Sequence, residues 1–460
     1  MKHTDIIQKL NLEQKCALLS GETVFTTRAL PGKGIPAITL SDGPNGVRKQ
    51  AGAADHLGLN PSVPATCFPT SSATACSWDE KLGEAVGEAL GEEAAAQEVA
   101  VLLGPGLNIQ RSPLCGRDFE YFSEDPILAG RMAAAYVRGI QKNGISACPK
   151  HFAVNSQELR RMASDSVLDE RTLRELYLTG FEIVVKEAKP KTIMTSYNLI
   201  NGTYANENAH LLQDILRKDW GFDGAVVTDW GGSNDHALGV KNGSTLEMPC
   251  PGGDSIRELM KAVQDGKISE ADVDARLDEM LELVLSTHAA VEKAPRTFDA
   301  AAHHKLARRA AAESIVLLRN EGGILPLKPN EKLAVIGDFA ETPRYQGAGS
   351  SAVNALQVDA LLDCIKADDS GIAFVGYASG FDRQGAADPK KQEEAVSLAK
   401  QADTVLLCLG LDELRESEGL DRADMALAEN QQQLLDAVAA VNPNVVVLLS
   451  AGAPGETPWV

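Results

Sequence analysis

The stretch Gly224–Ser233 carries the residue that is best placed for chemistry in this chain of 460 residues. Three small apolar residues predict the end of a buried parallel strand, and Asp229 follows almost directly, beside Trp230 and before two glycines. Carboxylates at the C-terminal ends of parallel strands are where α/β barrels keep their active sites. Asp229 could equally cap the next helix, so the other strand ends must decide between the two interpretations.

A second candidate carboxylate lies in the acidic loop 412–422, which follows a predicted strand and contains Glu416 and Glu418. Hydrolysis of a glycosidic bond needs one ionised and one protonated carboxyl group, about 5 to 5.5 Å apart in a retaining enzyme. A catalytic Glu in this loop would place the site between two domains, which is a usual place for ligand clefts. By itself, however, such an acidic loop is typical of a solvated surface.

Several other predicted strands also end in polar side chains. The residues at these ends are Asp42, Lys150, His151, Tyr197, Asn198 and Asp229. Strands that alternate with helices at this spacing predict parallel βα units, and polar groups at successive strand ends predict a (β/α)8-type TIM barrel. Only six or seven strands can be recognised, so an imperfect barrel is equally compatible. Lys150, His151 and Arg161 are expected near Asp229, where their positive charge would favour its ionised form.

A second α/β pattern begins at Lys332, with predicted strands over 332–337, 372–376, 404–410 and 444–450. We therefore expect a TIM-barrel domain over residues 1–289, a linker over 290–311 and an α/β sandwich domain over 312–460. A helix is predicted over residues 304–319. Because the chain stops directly after the last predicted strand, the sandwich domain is expected to be truncated.

Composition narrows the classes of function. The net charge of -20 argues against nucleic acid and anionic membranes as partners. No apolar run is long enough for a bilayer span and no signal peptide is recognisable, so a cytoplasmic enzyme is expected. The eight cysteines are scattered and the histidines lack the H-E-x-x-H spacing, so no metal is expected. The glycine-rich turn 346–351 lacks a Walker lysine, so no nucleotide cofactor is expected either.

Eight short motifs occur in the order seen in family 3 glycoside hydrolases, notably the bacterial β-glucosidases, and they span nearly the whole chain. They are Asp42-Gly-Pro, Gly116–Pro126, Lys150-His151-Phe152, Thr195–Asn198, Val227–Trp230, Leu246–Pro249, Glu313–Asn320 and Glu418–Arg422. The chain therefore resembles that family, and the resemblance implies a retaining, exo-acting β-glucosidase. The implied partner is a small-molecule glycoside or an oligosaccharide, whereas a homo-oligomer remains open.

The resemblance also implies roles for individual residues. Asp229 matches the nucleophile, and Glu418 matches the general acid and base, with Glu416 as the alternative in the same loop. The residues that match hydroxyl-binding positions of the terminal sugar are Asp42, Arg117, Lys150, His151 and Arg161. The residues that match the lining of that pocket are Met194, Tyr197 and Trp230, although Met194 could also be plain core.

The sequence departs from the family pattern at Asp118, where Asn is usual, and at Thr245, where Asp is usual. Neither position is expected to take part in bond cleavage, so both departures bear on the choice of substrate more than on the activity itself. The N-acetylglucosaminidase branch is disfavoured because no Gly-His-Gly segment follows Lys150-His151-Phe152. We favour β-glucosides over the alternatives of β-xylosides and α-arabinosides. Two further hypotheses are a Schiff-base lyase that uses Lys150 and a sugar-binding protein without turnover.

Overall fold

The computed structural model describes residues 1–52 and 60–459. These residues form an α/β architecture of two compact units. The first unit consists of Met1–Ser112, Glu120–Ser314 and Gly349–Leu356, and the second consists of Pro113–Phe119, Ile315–Ala348 and Gln357–Val460. Each unit has its own cluster of buried apolar residues.

The first unit contains a series of short parallel strands. They are β1 (Leu40–Asp42), β2 (Val101–Leu103), β3 (Ser146–Ala147), β4 (Thr192–Met194) and β5 (Ala225–Val227). β1, β2 and β3 pair in that order, and β4 pairs with β5. Single parallel bridges continue the series, joining Phe152 to Thr195 and Val227 to Leu246. The strand ends that carry polar residues therefore lie side by side along this series of strands.

Every residue of β2, β3, β4 and β5 is buried. All three residues of β2 and of β5 are fully buried. A parallel strand that is covered by helices on both sides has no solvent face, so its sequence is continuously apolar rather than alternating. The short strands Asp165–Ser166, Leu199–Ile200 and Thr203–Tyr204 form a separate small sheet.

Helices surround these strands, and polar caps fix where several of them begin. Asp79 and Asp125, for example, accept hydrogen bonds from backbone N–H groups of the first turns that follow them. The helices are Thr4–Ile7, Leu12–Leu18, Ser71–Ala75, Glu80–Ala96, Pro126–Gln141, Glu170–Thr172, Leu173–Tyr177, Thr179–Ile183, Val184–Ala188, His210–Asp219, His236–Asn242, Asp254–Gln264, Glu270–Lys293 and Ala300–Glu313. Short 3₁₀ turns are Pro31–Lys33, Asp118–Glu120 and Ala205–Glu207.

The second unit is built on one parallel sheet. Its strands are β6 (Lys332–Ile336), β7 (Ala373–Ala378), β8 (Thr404–Gly410) and β9 (Val445–Ser450), in the spatial order β7-β6-β8-β9. Its helices are Leu361–Ala367, Pro389–Ala399 and Glu429–Ala439, with a 3₁₀ turn at Asp338–Ala340. These strands agree with the four predicted for this part of the chain.

The helix predicted over residues 304–319 is shifted. It spans Ala300–Glu313, because Asp299 caps it by accepting a hydrogen bond from Ala302 N. It ends before the β-branched pair Ile315 and Val316, which disfavours a helix. Residues 290–311 thus contain the end of helix Glu270–Lys293 and most of the next helix.

Three observations concern general properties of the described part of the chain. None of its helices has the length and apolar composition needed to cross a membrane. All eight cysteines lie within it as free thiols. Among residues 1–52 and 60–459, no group of three or more His, Cys, Asp or Glu side chains is arranged to hold a metal ion.

Candidate active site

Asp229 lies just beyond the C-terminal end of β5, as predicted from its sequence. Its Oδ1 accepts a hydrogen bond from the backbone N–H of Trp230 at 2.8 Å, and its Oδ2 lies 3.6 Å from His151 Nε2. The side chain is largely buried but not sealed from solvent. A backbone N–H that donates to a carboxylate favours the anion, which is the form required of a nucleophile.

The turn around Asp229 is held by the residues on either side. Thr228 Oγ1 donates to the carbonyl of Met248 at 3.1 Å and accepts from Met248 N at 2.9 Å. Gly231 has a φ of +80°, a left-handed conformation that favours glycine, and its N–H donates to the same carbonyl at 2.8 Å. The sequence Thr-Asp-Trp-Gly thus provides a fixed frame for the carboxylate.

Trp230 is anchored through its ring and its backbone. Its indole N–H donates to the carbonyl of Val24 at 2.8 Å, and its ring packs against Phe25 with centroids 5.3 Å apart. Tyr197 donates its hydroxyl to the carbonyl of Trp230 at 2.9 Å. Two of the three predicted pocket residues, Trp230 and Tyr197, therefore lie within the network that holds Asp229.

Lys150 is buried beside a carboxylate that the sequence analysis did not single out. Its Nζ lies 3.2 Å from Glu120 Oε1, and both side chains are almost completely buried. A paired carboxylate stabilises the ammonium form, which donates hydrogen bonds. An amine nucleophile of the Schiff-base type needs the neutral form instead, so this pair counts against the lyase hypothesis.

His151 is oriented by two further residues that the sequence analysis missed. Tyr121 OH lies 3.1 Å from His151 Nδ1. Asn108 accepts from His151 N at 2.7 Å and donates to the carbonyl of His151 at 2.8 Å. Tyr121 thus contacts the ring at Nδ1 and Asn108 holds the backbone, while the other ring nitrogen, Nε2, lies 3.6 Å from Asp229 Oδ2. Tyr121 belongs to the motif Gly116–Pro126, but nothing in that motif predicts this role.

Arg161 lies in the loop between β3 and β4 and contacts two neighbours. Its guanidinium carbon is 4.7 Å from the centroid of the Tyr197 ring, and its Nη1 is 2.7 Å from Glu158 Oε2. Glu158 is another residue that the sequence analysis did not identify.

Met194 is the last residue of β4 and is buried, and its carbonyl accepts a hydrogen bond from Phe152 N at 2.7 Å.

Asp42 is the last residue of β1 and pairs in register with Leu103 of β2. Its carbonyl accepts from Arg48 N at 2.9 Å, which forms the turn that follows the strand. Asp42 therefore lies at the same end of the parallel series as the residues that follow β3 and β5. The first unit contains eight of the predicted site residues, namely Asp42, Lys150, His151, Arg161, Met194, Tyr197, Asp229 and Trp230.

The other two predicted site residues, Arg117 and Glu418, belong to the second unit. Arg117 Nη1 lies 3.5 Å from Glu418 Oε1, with Arg117 buried and the Glu418 side chain 17% exposed. Gly116 makes this proximity feasible, because a Cβ at that position would lie 1.6 Å from the carbonyl oxygen of Leu420. The sequence had given no indication that Arg117 groups with the acidic loop.

Glu416 has a different environment from Glu418. Its Oε2 lies 2.7 Å from Arg344 Nη1, and its Oε1 accepts from Gly452 N at 2.9 Å. Both charged side chains are buried. Glu416 therefore supports the structure of the loop, since both oxygens of its carboxylate already bind protein groups. Glu418 is the more accessible of the two carboxylates.

The two departures from the family pattern have distinct surroundings. Burial, aided by the charge of Glu416 and opposed by Arg422, raises the pKa of Asp118 to about 8. A neutral Asp118 resembles the Asn that is usual at this position, because both are uncharged. Thr245 accepts from Val226 N at 3.0 Å and donates to Glu279 at 2.6 Å, so its hydroxyl serves the packing of β5.

Comparisons with known proteins agree with these observations. Residues 56–283 match the glycosyl hydrolase family 3 N terminal domain, and residues 315–460 match the glycosyl hydrolase family 3 C-terminal domain. The chain is 45% identical to thermostable β-glucosidase B of Acetivibrio thermocellus over 99% of its own length and 60% of that relative. It is also 45% identical to exo-α-(1→6)-L-arabinopyranosidase of Bifidobacterium longum, over 97% of its length and 60% of that relative.

Among solved structures, the GH3 β-glucosidase of Bifidobacterium adolescentis matches with a TM-score of 0.91 and 43% identity. That match covers 98% of this chain and 65% of the other. The chain thus spans about 60% of the length of the two curated relatives named above.

Proposed function

Because the chain belongs to glycosyl hydrolase family 3, we propose that it is a retaining, exo-acting β-glucosidase. The observation that carries the proposal is the position of Asp229 at the end of β5. There its carboxylate accepts from Trp230 N and faces His151 Nε2 at 3.6 Å. The two β-glucosidases among the compared proteins support the same activity.

The proposed reaction has two steps. Asp229 attacks the anomeric carbon, and the bond to the leaving oxygen breaks as Glu418 protonates that oxygen. Glu418, now ionised, removes a proton from water, and the hydroxide so formed displaces Asp229 from the anomeric carbon. Glucose is released with its configuration retained, and both carboxyl groups return to their starting states. Glu418 is preferred over Glu416 because Glu416 is bound to Arg344 and Gly452.

The remaining predicted site residues would bind the terminal sugar. Asp42 would accept hydrogen bonds from hydroxyl groups, and the cationic or neutral donors Arg117, Lys150, His151 and Arg161 would donate to them. Met194, Tyr197 and Trp230 would supply the apolar surface on which a sugar ring packs. Glu120 supports this role for Lys150, because an ammonium held in its charged form is a hydrogen-bond donor rather than a nucleophile.

We also propose the finer architecture that the sequence predicted. In this proposal, residues 1–289 form an imperfect (β/α)8-type TIM barrel and residues 312–460 form an α/β sandwich domain, with 290–311 connecting them. The parallel pairings of β1 to β5 and the bridge between Val227 and Leu246 support the barrel.

A second candidate activity is supported by the arabinopyranosidase of Bifidobacterium longum, which is as similar in sequence as the β-glucosidase of Acetivibrio thermocellus. An α-L-arabinopyranoside lacks the hydroxymethyl group of a β-glucoside and has the opposite configuration at C4, so the hydrogen bonds made to the C4 hydroxyl would distinguish the two substrates. Hydrolysis of an α-L-arabinopyranoside faster than of a β-glucoside would establish this alternative.

A mechanism-based label tests the main proposal. A 2-deoxy-2-fluoro-β-glucoside with a good leaving group should form a stable covalent intermediate, and peptide mass spectrometry should find it on Asp229. The matched control is Asp235, a helix cap that should remain unlabelled. A label on another carboxylate would refute the assignment of the nucleophile, and turnover with inverted configuration would refute the retaining mechanism.

A further inference from the structure

We propose that Glu158 is a positioning residue that holds the Arg161 guanidinium in the orientation needed to bind the terminal sugar. This inference rests on the proposed function and adds to it a residue that acts through Arg161. Glu158 is one of the most deeply buried carboxylates near the site, with a side chain that is 1% exposed. A carboxylate at that depth is stable only with charged or hydrogen-bonding partners.

The contact between Glu158 and Arg161 is short and specific. Glu158 Oε2 lies 2.7 Å from Arg161 Nη1, and Asn155 Nδ2 lies 3.5 Å from the other carboxylate oxygen. Arg161 N also donates to the carbonyl of Glu158 at 3.1 Å, which makes the two residues the ends of one tight turn. Backbone and side chain therefore hold Arg161 to the same partner.

The residues of this turn lie outside helices and strands. Arg160, between the two residues, has a φ of +54°, a left-handed conformation that costs free energy for a residue with a side chain. A long arginine side chain in such a turn would adopt many rotamers without a partner. The ion pair with Glu158 selects one of them.

The selected orientation is tied to Asp229 by a series of contacts. The Arg161 guanidinium stacks on the ring of Tyr197, with a distance of 4.7 Å to the centroid. The Tyr197 hydroxyl donates to the carbonyl of Trp230, whose own N–H donates to Asp229 Oδ1. A planar guanidinium that is fixed at one nitrogen and one face has its remaining donors fixed as well.

The test uses four variants: Glu158→Gln, Glu158→Asp, Arg161→Ala and the double variant Glu158→Gln with Arg161→Ala. Glu175→Gln is the matched control, because Glu175 pairs with Arg171 at 3.0 Å through an exposed contact. Two readouts are needed: the dissociation constant of D-glucose by calorimetry, and kcat and KM for a nitrophenyl β-glucoside. Thermal denaturation shows whether each variant is folded.

Glu158→Gln should weaken glucose binding about tenfold and raise KM by a similar factor. We expect kcat to change by less than about threefold, because the lost interaction serves binding rather than bond cleavage. In the Arg161→Ala background the same substitution should change either constant by less than about twofold. Glu158→Asp should restore part of the loss, and Glu175→Gln should behave like the wild type.

Two results would overturn the inference: an unaltered dissociation constant in folded Glu158→Gln, or a full tenfold loss that persists without the Arg161 side chain. If Glu158→Gln does not fold, Glu158→Asp takes its place, and its smaller loss should disappear without the Arg161 side chain. The proposed function fails separately if the wild-type chain binds glucose but hydrolyses no glycoside, since the calorimetric comparison still decides the role of Glu158. A wild-type chain that neither binds nor hydrolyses would contradict both.

Discussion

Arg344 and Glu416 form a buried ion pair in the second unit, with Nη1 and Oε2 2.7 Å apart. Two residues further along the same loop, Glu418 keeps a side chain that is 17% exposed and lies 3.5 Å from Arg117. The loop therefore contains one carboxylate that supports its structure and one that is accessible to a ligand. This difference in environment distinguishes Glu418 from Glu416, which the sequence alone left as alternatives for the general acid and base.

Substitutions at these two positions should have different effects. Glu418→Gln should lower kcat/KM for a glucoside with a poor leaving group by about 10² to 10⁴, because the proposed general acid is lost. The loss should be smaller for a dinitrophenyl glucoside, whose leaving group needs no protonation. Glu416→Gln should instead lower the free energy of unfolding by about 3 kcal/mol, because Arg344 is left without its charge partner. Steady-state kinetics and chemical denaturation distinguish the two outcomes, and a selective loss of acid catalysis in Glu416→Gln would reverse the assignment.

The pH dependence of stability should reveal Asp118. Its pKa rises from 3.8 to about 8, chiefly because of burial, so the folded chain keeps a proton there that the unfolded chain loses. The stabilising contribution is complete below about pH 4 and is lost as pH rises through about 8. Asp118→Asn removes this dependence, so its melting temperature should exceed that of the wild type by at least about 3 °C at pH 8, with a smaller difference at pH 5. A difference that is the same at both values would refute this account.

His303 should give a pH dependence in the first unit. Burial lowers its pKa, but its hydrogen bond to Glu93 at 2.7 Å and the charges of Glu93 and Glu92 outweigh burial and raise it. A raised pKa gives stability that is complete below the unfolded value of 6.5 and is lost as pH rises through the folded value. His303→Gln should therefore lower the melting temperature most below pH 6.5, and by progressively less in alkaline solution. Lys305→Gln, at an exposed position of the same helix, is the control, and an equal loss at every pH in His303→Gln would contradict the prediction.

The strands could be predicted because parallel strands that are buried on both faces are continuous apolar runs. β5 and β8, for example, lie where the sequence placed them, and Asp229 follows β5 as expected. The family resemblance is confirmed by the two domain matches. The roles of Asp229, Glu418 and the sugar-binding residues stay predictions.

The contacts that orient the site could not be predicted from the sequence. Glu120 ends a 3₁₀ turn and Glu158 lies outside helices and strands, and a sequence pattern assigns such charged residues to solvent, yet both are buried against the cations Lys150 and Arg161. Burial of a loop residue depends on which distant segments pack over it, and no local periodicity encodes that information. The grouping of Arg117 with the second unit has the same cause, since it depends on tertiary contacts of a short segment.

The most direct test of the central proposal is hydrolysis of a panel of nitrophenyl glycosides. The panel contains the β-glucoside, β-xyloside, β-galactoside, N-acetyl-β-glucosaminide and α-L-arabinopyranoside, each measured with the wild type and with Asp229→Ala. We predict that the β-glucoside is the best substrate. In Asp229→Ala, kcat should fall at least about 10³-fold, and azide should restore part of the lost activity. Turnover of the β-glucoside that is unchanged in Asp229→Ala would contradict the proposal, as would turnover of no glycoside by a folded wild-type chain.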